Sequence, residues 1–83
     1  MKFNANINAR LIDLLNVLDA RATVSVFEMD ENGKQILRFD CVPVWQILSV
    51  FPDNKETNAL KRYDVIGLNV GLNTNILIKK EGV

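Results

Sequence analysis

The feature that most constrains the fold is an Asn-Gly pair between two runs of strand-forming residues. Residues 23–29 (TVSVFEM) and 34–41 (KQILRFDC) are rich in β-branched and aromatic side chains, and residues 30–33 (DENG) separate them. Asn-Gly readily adopts the left-handed backbone conformations that tight hairpin turns require. The sequence therefore predicts an antiparallel β-hairpin over residues 23–41.

The register of this hairpin follows from its apolar side chains. A connecting loop of two or four residues places four of them on one face, whereas a three-residue loop would divide them. They are Val24, Val26, Leu37 and Phe39. Because a one-residue slip exchanges the two faces of a strand, we expect a loop of even length. Cys41 is then predicted to lie opposite Val24 as a small core residue.

The same stretch has some features of a calcium-binding loop, since Glu28, Asp30 and Asn32 alternate and Gly33 follows. An EF-hand loop needs a bidentate glutamate at its twelfth position and a helix on each side. Counting from Glu28, the twelfth position is Phe39, and the flanking residues alternate as strands do. We therefore interpret the segment as a turn, and we predict neither a metal site nor a cofactor.

Two segments have the apolar periodicity of amphipathic helices. In residues 7–19, apolar side chains recur at spacings of three and four residues, and Asn6 or Asn8 is predicted to cap the first turn. Residues 43–51 begin with a proline, at a position where its missing N–H costs nothing, and Pro52 ends the pattern. We expect one helix over each segment.

A second pair of strands is predicted at the end of the chain. Residues 63–70 and 75–80 flank the turn GLNT, and Gly67 indicates a β-bulge or a close backbone approach. The polar segment 52–61 connects this pair to the second helix. The order α-β-β-α-β-β predicts a single α+β domain over residues 1–83. Its four-stranded, mainly antiparallel sheet consists of two hairpins, with both helices on one face.

The predicted core combines the apolar stripes of both helices with one face of the sheet. It comprises Leu11, Leu14, Leu15, Leu18, Val24, Val26, Leu37, Phe39, Val44, Ile47, Leu48, Phe51, Ile66, Leu68, Ile76 and Ile78. Leu14 is central in this arrangement, and its truncation to alanine is expected to cost about 2–5 kcal/mol.

Composition excludes several classes of function. The ten basic and ten acidic residues cancel, so the chain has no electrostatic footprint for nucleic acid. Histidine is absent and Cys41 is the single cysteine, so the usual zinc ligands and the usual base for a cysteine nucleophile are missing. We expect a non-enzymatic protein of the cytoplasm, or of a host cytoplasm, without a small-molecule substrate or a membrane partner.

The face of the sheet away from the helices is the predicted interaction surface. In the register above, it presents Phe27, Met29, Ile36, Tyr63, Val65 and Leu77. Apolar patches of a few hundred Å² are large for a small monomer, so we expect a twofold homodimer or another protein partner. The alternative is that segment 52–61 or the chain termini fold across this face. Trp45, at the edge of the second helix's apolar stripe, is a further candidate interface residue.

Three segments carry a resemblance to known proteins: LIDLLNVL, TVSVFEMDENGKQILRF and the closing NILIKK. In these the chain resembles small uncharacterised proteins encoded by phages and prophages of Gram-positive bacteria. The resemblance implies an accessory protein of a mobile element and provides no catalytic residues. The sequence therefore favours a protein–protein interaction or accessory function, and the alternative is a small nucleic-acid-associated regulatory module.

Overall fold

A computed structural model describes residues 8–80 of the chain. Its elements, in chain order, are α1 (Leu11–Val17), β1 (Thr23–Met29), β2 (Gln35–Pro43), α2 (Val44–Val50), α3 (Lys55–Leu60), β3 (Asp64–Asn69) and β4 (Thr74–Lys79). The first helix is shorter than predicted, because the Asp13 carboxylate accepts a hydrogen bond from the Arg10 N–H at 3.2 Å and the helix begins at Leu11. The predicted cap Asn6 lies outside the described residues, and the other predicted cap, Asn8, is wrong because Arg10 is the N-cap.

The four strands form one sheet in the order β2-β1-β4-β3. β1 pairs antiparallel with β2, and β3 pairs antiparallel with β4, so both predicted hairpins are present. The two hairpins meet through a parallel pairing of β1 with β4, from Val24 opposite Thr74 to Met29 opposite Lys79. The α+β class and the four strands are confirmed, and the sheet is mixed.

The segment predicted as a polar connection contains a third helix. The Asn54 side chain accepts hydrogen bonds from the backbone N–H groups of Glu56 and Thr57, at 3.0 and 3.2 Å, and so caps α3. Leu60 at its end is buried in the same cluster as Leu11 and Val65. The segment thus packs on the helix side of the sheet. The alternative that it covers the opposite face is wrong.

The core lies between the helices and one face of the sheet. Its buried members are Leu11, Leu15, Val24, Val26, Val44, Ile47, Phe51, Leu60, Val65, Ile76 and Ile78. Five further predicted residues are partly buried against this cluster: Leu14, Leu18, Phe39, Leu48 and Leu68. The Phe39 ring meets the Phe51 ring edge to face, with centroids 6.1 Å apart. The two remaining predicted core residues, Leu37 and Ile66, are exposed.

The first hairpin turns through a three-residue loop rather than one of even length. The Asp30 N–H donates to the Lys34 carbonyl at 2.8 Å, and Gly33 has a φ of 81°. This combination is common for three-residue hairpin loops that end in a left-handed residue. The Asp30 carboxylate accepts hydrogen bonds from the N–H groups of Asn32 and Lys34, at 2.9 and 2.8 Å, so it stabilises the turn.

The odd-length loop explains why the predicted face of Leu37 is wrong, and a β-bulge beyond Leu37 explains why Phe39 still faces the core. Phe27 lies opposite Leu37, whereas its neighbour Val26 lies opposite Phe39, so Arg38 is an extra residue in β2. Phe39 therefore faces the core, while Leu37 lies on the other face beside Phe27. The Arg38 guanidinium binds the Glu28 carboxylate at 2.9 Å.

A second bulge changes which residues at the start of β3 face the helices, whereas Leu68 packs against the core as predicted. Val65 lies opposite Ile78 and Gly67 lies opposite Leu77, which leaves Ile66 as the extra residue. The bulge that Gly67 indicated is therefore confirmed. Its effect is that Val65 faces the helices and is buried, whereas Ile66 is exposed. Exposure of Ile66, rather than burial, follows from this local change of register.

The burial pattern of α1 makes a quantitative prediction about stability. Leu15 is buried, whereas its neighbour Leu14 is only partly buried. We expect Leu15→Ala to reduce the free energy of unfolding by about 2–5 kcal/mol. Leu14→Ala should cost less than about 2 kcal/mol, below the loss expected from the sequence, because Leu14 is not fully buried. Urea denaturation of both variants measures the difference. Equal losses, or a larger loss for Leu14→Ala, would contradict the observed orientation of the helix.

Candidate functional site

The structure separates the residues of the predicted sheet-face surface. Val65 is buried beneath the helices. Ile36 lies opposite Glu28 and therefore shares the helix-side face, because directly opposed residues of antiparallel strands point the same way. Tyr63 precedes β3 and packs against the helix-side core. The predicted placement of these three residues on the far face is wrong.

Phe27, Met29 and Leu77 do lie on the face away from the helices, called here the outer face. The row Leu37, Phe27, Leu77 and Gly67 crosses all four strands on this face. Leu77, near the middle of the row, is only 5% exposed, and Phe27 and Met29 are partly buried. The outer face therefore offers much less accessible apolar surface than the sequence predicted.

A different surface carries most of the exposed apolar side chains of the described chain. Val17, Trp45 and Val70 are 78%, 53% and 75% exposed, and Leu72 is fully exposed. All four belong to segments at the end of the sheet where β1 and β4 begin and β2 and β3 end: Val17 precedes the connection into β1, Trp45 follows β2, and Val70 and Leu72 lie between β3 and β4. Together they are called here the apolar end.

Two of these residues are positioned by the connection between α1 and β1. Val17 is the last residue of α1, and the chain then passes into β1. Within this connection the Ala20 carbonyl accepts a hydrogen bond from the Trp45 N–H at 3.0 Å, and the Ala22 carbonyl accepts one from the Val44 N–H at 2.9 Å. The start of α2 is thus held against the connection. Because successive helical residues differ by about 100°, buried Val44 leaves Trp45 facing solvent.

The other two residues lie in the loop that joins β3 to β4. Val70 and Leu72 flank Gly71 in this loop, beyond the paired residues Asn69 and Asn75. Asn73 follows, and its side-chain amide donates a hydrogen bond to the Ser25 hydroxyl at 3.0 Å. The loop is thus tied to β1.

The Ser25 hydroxyl is the centre of a small polar cluster beneath the apolar end. It accepts hydrogen bonds from the Asn73 amide and from the backbone N–H of Cys41, at 3.0 and 2.9 Å. It donates to the Asp40 carboxylate at 3.4 Å. A hydroxyl has one donor and two acceptor positions, and all three are used here.

Cys41 lies in a bulge of β2 rather than in the core. Val24 is opposite Val42, and Val26 is opposite Phe39, so Asp40 and Cys41 together face Ser25. Cys41 has a φ of 52°, a left-handed conformation that is uncommon for residues other than glycine, and it is exposed. The prediction of a core cysteine opposite Val24 is wrong, because Val42 occupies that position.

The charged groups near the apolar end have both signs. Asp19 and Arg21 lie in the connection before β1, where the Asp19 carboxylate accepts a hydrogen bond from the Arg21 N–H at 2.8 Å. Asp40 adds a further carboxylate on the β2 side. An apolar surface with a mixed polar border is the usual anatomy of a protein–protein interface. Within residues 8–80, no group of three potential metal ligands occurs.

Comparison with known proteins adds no further constraint, since no family model, curated protein or solved structure matches this chain. Within the described residues, no helix is long and apolar enough to cross a membrane. Sequence reasoning identified Trp45 but missed Val17, Val70 and Leu72. The sequence feature that could have identified Val70 and Leu72 is their position on either side of Gly71, because turns normally carry polar side chains.

The conformation of Cys41 gives a ranking of substitutions. Glycine adopts the left-handed region without steric cost, whereas a β-branched residue there is strained. We expect Cys41→Gly to change the free energy of unfolding by less than about 1 kcal/mol, and Cys41→Val to cost about 1–3 kcal/mol. Urea denaturation measures both. A buried cysteine would give the opposite order, so a more stable valine variant would show that the bulge is absent.

Proposed function

We propose that this chain is a non-enzymatic interaction protein that binds another protein through its apolar end. The observation that carries the proposal is the gathering of Val17, Trp45, Val70 and Leu72 at one end of the sheet, all exposed. The resemblance to phage and prophage proteins supports an accessory role for a mobile element, acting in a bacterial cytoplasm.

The energetics favour binding at this surface. Single exposed apolar residues are common on soluble proteins and require no explanation. Several at one end of a sheet favour association, since burying one valine or leucine side chain contributes about 1.5–3 kcal/mol. Trp45 adds an aromatic side chain, and tryptophan is enriched among the residues that dominate binding energy at interfaces. The apolar end therefore has the exposed apolar residue types that stabilise a protein contact.

The polar groups beside this surface support binding rather than catalysis. The chain contains no histidine that could act as a base for Cys41. Ser25 is almost fully buried, and its hydroxyl is already engaged by three hydrogen-bond partners. These groups hold backbone segments together, and their arrangement resembles structural support more than a reaction centre.

A second copy of the chain is the first partner to test. A twofold contact buries the same patch on both subunits, so one surface suffices for association. The apolar end comes from three separate segments of one chain, so a twofold axis would bring the same residues of both copies together. The alternative partner is a different protein. In either case, a substitution on the outer face serves as the control.

The paired substitutions Trp45→Ala and Leu72→Ser test the proposal. We expect the double variant to fold normally and to lose self-association, or binding to a captured partner, by at least about tenfold. Sedimentation velocity between about 1 μM and about 1 mM measures self-association. Leu37→Ser, on the outer face, is the matched control and should leave binding unchanged. If the control variant alone loses binding, the contact surface is the outer face; if wild type binds nothing, the proposal fails.

The balance of charge predicts weak binding to nucleic acid. With ten basic and ten acidic residues, the chain should not bind duplex or single-stranded DNA near micromolar concentration. Fluorescence anisotropy at two salt concentrations measures this. Tight binding that weakens steeply with salt would favour the alternative, a nucleic-acid-associated regulatory module.

A further inference from the structure

A cavity of about 440 Å³ lies between the first hairpin and α3, towards the end of the sheet opposite the apolar end. It is lined by Glu28, Arg38, Glu56, Ala59, Leu60 and Tyr63. These residues provide two carboxylates, one guanidinium, one aromatic ring and two aliphatic side chains. The apolar end contributes no residue to this lining, so a ligand of the cavity would be independent of the binding proposed for that surface.

Glu28 is unusual for its position in the central strand β1. It lies on the helix-side face, between Ile36 of β2 and Ile78 of β4. Its side chain is only 14% exposed. A charged group that is largely withdrawn from water destabilises the fold unless other groups compensate for the lost hydration. The Glu28 carboxylate therefore needs partners on this side of the sheet.

Arg38 compensates one oxygen of this carboxylate. Its Nε and Nη2 atoms both contact Glu28 Oε1, each at 2.9 Å. An arginine in the favoured bidentate geometry donates to both carboxylate oxygens. Here the second oxygen, Oε2, has no hydrogen-bond partner among residues 8–80. Because Glu28 lines the cavity, this carboxylate is within reach of a ligand bound there.

The other groups of the cavity favour a cation with an apolar stem. Glu56 is exposed on α3 and forms no ion pair within the described part of the chain. Two carboxylates and one guanidinium leave the cavity with a net negative charge. The face of an aromatic ring, such as that of Tyr63, attracts cations. Ala59 and Leu60 add aliphatic surface for a hydrocarbon stem.

A primary ammonium fits these groups better than a guanidinium does. A guanidinium is planar and binds a carboxylate through two parallel hydrogen bonds, which require both oxygens. Since Arg38 already engages Oε1 of Glu28, only one oxygen is available. An ammonium is a compact charge whose three donors can point to separate acceptors. Glu28 Oε2 and the Glu56 carboxylate are acceptors of this kind.

We propose that this cavity binds a primary alkylammonium group, with Glu28 and Glu56 as its anionic partners and Tyr63 as its aromatic wall. The group belongs either to a free amine or to a lysine side chain, since both present an ammonium on an aliphatic stem. Arg38 then has a defined effect on the site. Its positive charge opposes that of the ligand, so it limits the affinity.

NMR titration of the full chain with butylamine tests the site. Butylamine is protonated at neutral pH, and at about 1–10 mM we expect it to shift the backbone amide signals of Glu28, Arg38 and Leu60 in a saturable way. 1-Butanol has the same stem without the charge and should cause no saturable shift. Equal shifts with both probes, or no shift with butylamine up to about 50 mM, would overturn the proposal.

Three variants relate binding to the groups of the cavity. Glu56→Gln changes an exposed residue and should weaken butylamine binding by at least about fivefold. Arg38→Gln frees Glu28 Oε1 and makes the cavity more negative, so it should strengthen binding by at least about threefold. Glu31→Gln, in the first turn, removes the same charge outside the cavity and is the matched control. Unchanged binding in Glu56→Gln, or an equal loss in Glu31→Gln, would contradict the proposed site.

A lysine blocked at both backbone groups distinguishes the two sources of the ammonium. If Nα-acetyl-lysine N-methylamide binds at least as tightly as butylamine, the ligand is a lysine side chain of a protein. If it binds at least about tenfold more weakly, the ligand is a free amine. The double variant Trp45→Ala and Leu72→Ser should bind butylamine as wild type does. Failure of this site and failure of the apolar end are therefore distinguishable.

Discussion

The structure depends on one pairing, the parallel alignment of the first and last strands at the centre of the sheet. β1 and β4 run side by side from Val24 and Thr74 to Met29 and Lys79, and their helix-side residues Val26 and Ile76 are fully buried. Parallel strands cannot be joined by a tight turn, so the chain between them must cross over the sheet. That crossover contains β2, α2, α3 and β3, with α2 and α3 packing on one face. The same alignment brings the starts of β1 and β4 to one end, where the apolar end forms.

The irregularities of the outer strands adapt the two hairpins to this centre. The extra residues Arg38 and Ile66, and the bulge at Cys41, each change which face the neighbouring residues occupy. Without them, Phe39 and Val65 would point away from the helices. Bulges also interrupt the regular backbone of an edge strand, which hinders pairing with another sheet. At the other edge, the Val65 N–H donates to the Ala9 carbonyl at 2.8 Å, so part of β3 is already paired.

Local features were predictable from the sequence, and long-range ones were not. The Asn-Gly turn, both hairpins and the second helix follow from neighbouring residues, and Gly67 indicated its bulge. The parallel pairing joins strands far apart in sequence, and strand periodicity does not specify which strand lies beside which. The face of Leu37 was mistaken because the register argument assumed an even-length loop, whereas the loop has three residues. Phe39 nevertheless faces the core because Arg38 is an extra residue, and the residues around it give no sign of an insertion. α3 was missed although Asn54 has the position and chemistry of a helix cap.

The candidate surface was hard to predict for a related reason. Periodicity identifies residues that share one face of one element, and it therefore selected a face of the sheet. The apolar end instead combines the last residue of α1, the second residue of α2 and a loop, which come together only through the β1–β4 alignment. Its polar support is equally non-local, since Ser25, Cys41 and Asn73 belong to three different segments. In a domain of this size, the helix-side faces are used for the core, and exposed apolar side chains are found mainly at the ends of elements.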